Sequence, residues 1–526
     1  MAVHNVVAAP LLIALATAIG TLLTRGWPRV QRGVSLVGVL AYALGVAVLG
    51  LSVVPDGTIL TYQLGDWPAP FGITLVADSL SAFMLGLTAA VGVPALVFSL
   101  RFVDDFGQRV SYHPLFHFML VGVSGAFLTG DIFNMFVWFE VMLMSTYVLV
   151  VFYSGPEQTR AALNYVVLNL VGSAVMLLAI GGLYATTGTL NMADLAHRLA
   201  NPAAYGIDVA PVLGLSALLF SVFALKAGIV PFQFWVPDAY RAAPAPVTAM
   251  LAGVVKKVGL YAIVRLYFGI FAAATVPVSL PGIGGRSFLA FYGPVLFVMA
   301  AASVFFGGAA AIGRDDLEGV LAYSSIGQIG FIVLPLAVAA TIPSLREMAI
   351  LAALVYALNH ALAKGLLFLV AGAVQDAVGS TDLHDVSGLA RTAPVLTGAF
   401  LVGGLALVGI PPLSGFFGKL FVFRVAIDGG SVPALAVALG GAILTIAYVT
   451  RAWNRGFWGE PTALVDGLTP EPAEVAVLVV LALAVVLVGV GFDPVYQVAT
   501  AASHAALDRA AYVDAVHLQS LGGVHA

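Results

Sequence analysis

"IFNMFVWFEVMLMSTYVLVVFY", residues 132–153, is 22 residues long and carries a single charge, Glu140. The remainder reads as helix in a lipid phase, because about 20 consecutive apolar residues span a bilayer core. An ionisable group inside such a run is costly and faces protein or a watery cavity, so it marks function by default. The rest of the chain has to supply its partners.

The whole sequence repeats this pattern. Of 526 residues, 61% are hydrophobic and 9% are charged, against about 25% charged in soluble domains. A chain this apolar cannot hide its hydrophobic side chains in a water-soluble core. It is read as an all-α polytopic membrane protein with fourteen candidate helices. They lie near 5–24, 33–54, 79–100, 114–130, 131–153, 161–187, 210–230, 245–273, 288–311, 319–340, 347–372, 393–427, 432–456 and 472–495. The segment "PDGTILTYQLGDWPAPFGITLVAD", 55–78, has short β-branched runs between Gly and Pro and predicts a hairpin in the loop. The tail after 496 predicts a short amphipathic helix too polar to span. The first apolar run lacks a basic segment before it and is read as a retained span. With no cysteine, disulfides, iron–sulfur clusters and thiolate metal sites are excluded from the chain. No cofactor and no metal site is expected.

Arginine placement tests the map. Alternate loops carry Arg25, Arg29, Arg32, Arg101, Arg109, Arg160, Arg241, Arg314, Arg391, Arg451 and Arg455. The opposite set carries Arg198, Arg286 and Arg346, with Arg509 in the tail. Eleven against four puts the first set in the cytoplasm and both termini outside, which requires an even number of spans. Arg265 and Arg424 lie near span ends and are expected to snorkel to the interface.

All five lysines, Lys226, Lys256, Lys257, Lys364 and Lys419, lie within apolar spans or their broken middles. A lysine at a helix centre costs about 2.5–3.5 kcal/mol on insertion scales, so five unpartnered ones would cost about 12–18 kcal/mol. Snorkelling explains any one of them better than all five. Two are beside helix-breaking sequence: "FALKAGIVPFQFWVPDAYRAAPAP", 223–246, and "LVGIPPLSGFFGKLFVF", 407–423. Proline removes a backbone donor, and non-helical backbone at membrane depth is tolerated only inside protein or beside water. Interrupted spans in corresponding positions of two halves point to a transport site in inverted-repeat folds. Spans 4–8 and 9–13 would be those halves.

In the first half the ionisable candidates are Glu140, Lys226 and Lys256/Lys257. In the second they are His360, Lys364 and Lys419. "ALNHALAKGLLFL" sets His360 and Lys364 four residues apart, on one helix face. Histidine titrates near neutral pH and can pass a proton between lysines. A Glu–Lys pair holds both charges while in contact and favours neutral forms when separated. Glu140 with Lys226 is the expected pair. Asp78, Asp131 and Asp238 fall at span ends and are expected to cap helices or face water. Tyr323, Ser324 and Ser325 in "LAYSSIGQIGF" are expected to pack, with orienting water or bonding backbone as the alternatives. His113 and His117, at the cytoplasmic start of span 4, are expected to be solvated or capping, with a proton-access role as the alternative.

"TGDIFNMFVWFEVMLMSTYVLV", "TGTLNMADL", "FALKAGIVPFQFWVPDAY", "VVKKVGLYAIVRLY", "LAYSSIGQIGF", "NHALAKGLLFLVAG" and "GIPPLSGFFGKL" occur in this order along the chain. The set resembles the proton-translocating antiporter subunits shared by Mrp-type cation/proton antiporters and respiratory complex I. The first two stretches are most similar to the D-type member of the Mrp antiporter. The resemblance implies fourteen helices, two inverted five-helix repeats and discontinuous helices 7 and 12. It divides the chain into 1–113, a first repeat 114–273, a second repeat 288–456 and a last helix with tail, 472–526. It implies a relay of Glu140, Lys226, Lys257, Lys364 with His360, and Lys419. Lys256 stands where the family more often carries a small or hydroxylated residue. Only about 31 residues follow span 14, which disfavours the large A-type member and the distal complex I member, both of which carry long extensions.

The function expected is therefore proton movement in a Na⁺/H⁺ antiporter of a prokaryotic inner or plasma membrane, without enzymatic chemistry. Its partners would be a large A-type subunit, small B, C, E, F and G-type subunits and lipid, with no nucleic acid. A proton-pumping subunit of a complex I-type or membrane hydrogenase complex would use the same residues. A structural scaffold, in which the charges only hold helices together, is the third reading.

Overall fold

The computed structural model describes residues 2–276 and 287–516, with side chains from residue 5 onward. Arg286 and residues 517–526 of the tail lie outside the described residues. The chain builds α1 (Ala2–Leu23), α2 (Pro28–Val53), α3 (Ser79–Phe102), α4 (His113–Leu128), α5 (Ile132–Val150) and α6 (Pro156–Thr187). A short amphipathic α7 (Met192–Ala200) follows, then α8 (Val209–Ala227), α9 (Trp235–Ala242) and α10 (Ala245–Ala273). Next come α11 (Phe288–Ile312), α12 (Leu317–Thr341), α13 (Arg346–Val378), α14 (Pro394–Val408) and α15 (Ser414–Asp428). The last elements are α16 (Val432–Ala452), α17 (Pro472–Val490), α18 (Phe492–Leu507) and α19 (Arg509–Val516).

Among the described residues, twelve helices are long and apolar enough to cross a membrane. Each of the fourteen expected places is helical. The two that fall short by length are α4, with 16 residues, and the broken pair α14/α15, with 15 residues in each piece. The expected hairpin forms between β1 (Leu60–Gln63) and β2 (Thr74–Ala77), antiparallel, with Leu60 opposite Ala77.

Local chemistry fixes the helix ends. Asp78, Asp131 and Asp316 accept amide hydrogens at the starts of α3, α5 and α12, each satisfying a donor the helix leaves free. The same end pattern occurs twice. Asp131 bridges to Asn191 just past the left-handed Gly188 that ends α6, and Asp316 bridges to Asp382 just past the left-handed Gly379 that ends α13.

Burial sorts the helices into a centre and a rim. The most apolar window of α10 is wholly buried and those of α12 and α13 are 94% buried, whereas α2, α6 and α17 bury a third or less. The three central helices carry Lys256, Lys257, Ser324, Ser325, His360 and Lys364. These polar groups are thus enclosed by protein, and the least buried of the spans named, α2, α6 and α17, carry no lysine.

Ion pairs tie loops on the arginine-rich side: Arg32 to Asp105, Arg241 to Asp316, Arg391 to Glu460, and Arg451 and Arg455 to Asp315. The hydrogen bond from Arg451 holds the exposed Asp315 carboxyl below its usual range. Arg265 departs from expectation. It is buried and pairs with the equally buried Asp78 at 2.7 Å, instead of snorkelling, because Tyr261 and Tyr512 flank its guanidinium and close it off. Arg424 is exposed and pairs with Asp428 within its own helix. Tyr512 belongs to the tail, which is helical as expected but docks on the protein. Arg265→Gln leaves the Asp78 carboxylate buried without its counter-charge, which costs about 3–5 kcal/mol. Thermal unfolding of the detergent-solubilised protein should show the drop, and Asp78→Asn in the same background should recover most of it.

Candidate functional site

The two interrupted helices set the site. α8 ends at Gly228, whose φ of +66° is left-handed, and the chain resumes helix at Trp235. α14 ends at Gly409, φ +89°, and resumes at Ser414. Glycine adopts this conformation without the penalty a Cβ imposes. The carbonyls freed by each break find donors. Trp235 Nε1 donates to Leu225 O at 2.8 Å, and Lys419 Nζ donates to Val408 O at 2.9 Å. At each break a side chain caps a backbone carbonyl.

Glu140 and Lys226 are neighbours without direct contact. Glu140, half-buried on α5, accepts a hydrogen bond from Ser173 of α6. Lys226 is buried, donates to Tyr165 Oη at 3.4 Å and lies over the rings of Tyr165 and Trp235 at 5.7 and 5.9 Å. Glu140 acts on it through space. No ion pair joins the two: Glu140 is held by Ser173 and Lys226 by Tyr165.

From Lys226 the polar groups continue inward. α10 packs tightly on α8 because residue 259 is glycine: a Cβ there would stand 2.4 Å from Phe223 O. This contact brings Lys256 to the break in α8, where a Cβ on Gly228 would be 3.7 Å from Lys256 Nζ. Lys256 Nζ donates to Ser325 O at 3.1 Å and to Ser325 Oγ at 3.3 Å. Ser325 Oγ is 3.3 Å from His360 Nε2, and His360 Nδ1 is 2.6 Å from Lys257 Nζ. Lys257 Nζ also donates to Ala252 O at 2.6 Å. Leu251–Val255 is π-helical, and this wide turn directly precedes the two lysines. Such turns occur frequently at functional sites.

The hydrogen bonds order this hub. With Lys257 as an ammonium its nitrogen donates to His360 Nδ1, and the ring proton then sits on Nε2, facing Ser325 Oγ. Lys364, one turn beyond His360 on α13, donates to Leu321 O at 2.8 Å and to Ser324 Oγ. Asn359 accepts from Ser414 Oγ at 2.8 Å and donates to Ala406 O at 3.3 Å, linking α13 to the second break. Lys419 lies there, over the Phe331 ring at 5.0 Å. Among the described residues no group of three His, Asp or Glu side chains could hold a metal ion.

The structure thus brings Lys257, His360 and Lys364 into one buried cluster and leaves Glu140 with Lys226 and Lys419 at its two ends. Lys256, which the resemblance leaves without a role, is the group nearest both the first break and the hub. Ser324 and Ser325 do more than the expected packing or backbone bonding. Ser324 does bond Leu321 O, but both hydroxyls also serve lysines. The signal for this is in the sequence: two adjacent serines in a span with no surface on which to solvate them.

The family model described as NADH:quinone oxidoreductase/Mrp antiporter, TM matches residues 129–445, from the start of α5 to within α16. The chain belongs to this family. The matched stretch contains every group of the cluster just described. The D-type subunit of the Na⁺/H⁺ antiporter of Alkalihalophilus pseudofirmus is 34% identical over 515 residues, covering 98% of this chain and 99% of that one. The N-type subunit of an NADH-quinone oxidoreductase from Desulforudis audaxviator is 36% identical over 457 residues, covering 86% of this chain and 85% of that one. Among solved structures, a chain of the Mrp complex from Dietzia sp. superposes with TM-score 0.80 at 28% identity, covering 98% of this chain and 99% of that chain. A chain of an archaeal membrane-bound sulfane sulfur reductase gives TM-score 0.87 at 28% identity, covering 97% and 99%.

Ser325→Ala removes the hydroxyl that meets both Lys256 and His360, leaving a buried ring N–H unsatisfied. The loss should be about 1–3 kcal/mol, read as a lowered melting temperature. Ser325→Thr, which keeps the hydroxyl, should lose less.

Proposed function

We propose that the chain is the proton-translocating subunit of a multisubunit Na⁺/H⁺ antiporter, a transporter subunit rather than an enzyme. The observation that carries the reading is the buried hydrogen-bonded sequence Lys256–Ser325–His360–Lys257, set between two broken helices. Buried ionisable groups of this kind mark proton relays in pumps and transporters. Protons would pass between the Glu140/Lys226 couple and Lys419 through Lys256, His360, Lys257 and Lys364. Coulomb repulsion among like groups in a dry interior couples uptake at one end to release at the other.

Full-length coverage by a D-type antiporter subunit favours this reading over the redox one, since the N-type match leaves about 15% of each chain uncovered. The likeness to the reductase chain keeps a respiratory complex as the second reading. Co-purifying subunits decide between them: hydrophobic A, B, C, E, F and G-type partners for the antiporter, flavin and iron–sulfur subunits for the redox complex. Fourteen crossings in two inverted five-helix repeats, α4–α10 and α11–α16, belong to the same proposal. The recurring Asp131–Asn191 and Asp316–Asp382 bridges support it. So does parity, since Asp78 and Arg265 meet on one side only if α4 crosses. The cytoplasmic placing of the arginine-rich side in a prokaryotic cell membrane, with both termini outside, rests on the arginine bias.

Glu140→Ala should abolish antiport in everted vesicles while the complex assembles in normal amount. Full activity would remove the relay. Lys256→Ala should lower the rate at least about tenfold, on the scale of losing one proton-transfer group. A rate within about twofold of the parent would take Lys256 out of the path.

A further inference from the structure

A second buried titratable cluster lies outside the relay, in the N-terminal helices on the arginine-rich side. His113 and His117, expected to be solvated or capping, are fully buried on α4. Ser35 of α2 stands between them: its Oγ is 2.9 Å from His113 Nδ1 and 2.9 Å from His117 Nε2. The other nitrogen of His113 is 3.3 Å from Gln108 Oε1. His117 Nδ1 is buried and has no hydrogen-bond partner among the described residues.

The direction of every hydrogen in this chain follows from Gln108. Its amide nitrogen donates to Val103 O at 2.5 Å and Leu100 O at 3.2 Å, and its Oε1 accepts from Arg32 Nε at 2.8 Å. The amide orientation is thus fixed, and Oε1 is an acceptor. His113 Nε2 must then carry the hydrogen, which leaves Nδ1 as a lone pair. Ser35 donates its hydroxyl hydrogen to that lone pair and accepts from His117 Nε2–H. The remaining His117 nitrogen, Nδ1, is a buried lone pair without a partner among the described residues.

We infer that His117 is a proton-accepting site, the inner end of a His117–Ser35–His113 wire that lies between the arginine-rich surface and the membrane interior. A proton arriving at His117 Nδ1 releases the Nε2 proton to Ser35, whose own hydroxyl proton passes to His113 Nδ1. The charge then rests on His113 as an imidazolium whose Nε2–H stays on Gln108 Oε1, and the reverse sequence returns the proton to His117 Nδ1. Seven residues further along both helices, Tyr42 Oη and Ser124 Oγ lie 2.9 Å apart and extend the same polar seam. The charged and titratable groups acting on the pair are Arg32 from α2, which forms an ion pair with Asp105, and Tyr112, edge-on to His113 at 5.7 Å. The histidines also act on each other. α1 carries no titratable side chain over Asn5–Leu23, and Glu140 on α5 is engaged with Ser173 of α6.

This inference rests on the reading that the chain moves protons, so the test runs beside Glu140→Ala. Antiport is measured in everted vesicles holding the assembled complex, as a function of external pH. His117→Gln keeps an amide donor for Ser35 but cannot bind a proton. It should lower the rate about tenfold at alkaline pH, where protons are scarce, and less at acid pH. A merely structural role would lower the rate equally at all pH values, and that result overturns the site. Should His117→Gln fail to assemble, Ser35→Ala decides: it keeps both imidazoles, breaks the wire and should show the same pH-dependent loss. Unchanged activity in either variant, with Glu140→Ala inactive, overturns the wire and leaves the relay standing. An active Glu140→Ala removes the relay and this inference with it.

Discussion

The arrangement depends on one constraint: three lysines and a histidine are buried together, and among the described residues no carboxylate is bonded to any of them. Such groups persist only if every hydrogen has a destination. Ser324, Ser325 and the carbonyls of Ala252, Leu321 and Ser325 supply those destinations. The requirement explains why polar residues on α12 face α13, and why the central helices are the most enclosed in the molecule. It also explains why the carboxylate stands apart. Glu140 lies on a different helix, held by Ser173, and reaches Lys226 only through space.

The helix breaks follow from the same constraint. A break frees backbone carbonyls at depth, where water is not freely available. In one half an indole answers, in the other a lysine, so Lys419 is both a candidate carrier of protons and the cap of its own break. A proton-carrying group that also caps backbone couples its charge state to the geometry of the helix around it.

Much of this is legible in the letters. Apolar runs locate the helices, "GIVP" and "GIPP" locate the breaks, and five lysines confined to spans locate the candidate relay. Pairings are less legible. Lys256 and Lys257 are adjacent in sequence and would leave an ideal helix about 100° apart. That both reach the His360 hub depends on a π-helical turn and on Ser325 from another helix, neither of which has a periodic signature. Arg265 reads as interfacial because it sits near a span end. Its burial depends on Asp78, 187 residues away, and on Tyr512 from the tail. The burial of His113 and His117 escapes sequence reading for a similar reason, since Ser35 and Gln108 come from other segments.

The contact at Gly259 has a mechanical consequence. There α10 lies backbone against backbone on α8, with no side chain between them to yield. The spacing of Lys226 and Lys256 is then as stiff as the two helices themselves, and neither can slide past the other to open or close the gap. Movement across it falls to rotation of the two buried lysine side chains within their packed surroundings, rather than to sliding of one helix past the other. A step across this gap therefore needs a side chain to turn and no helix to move.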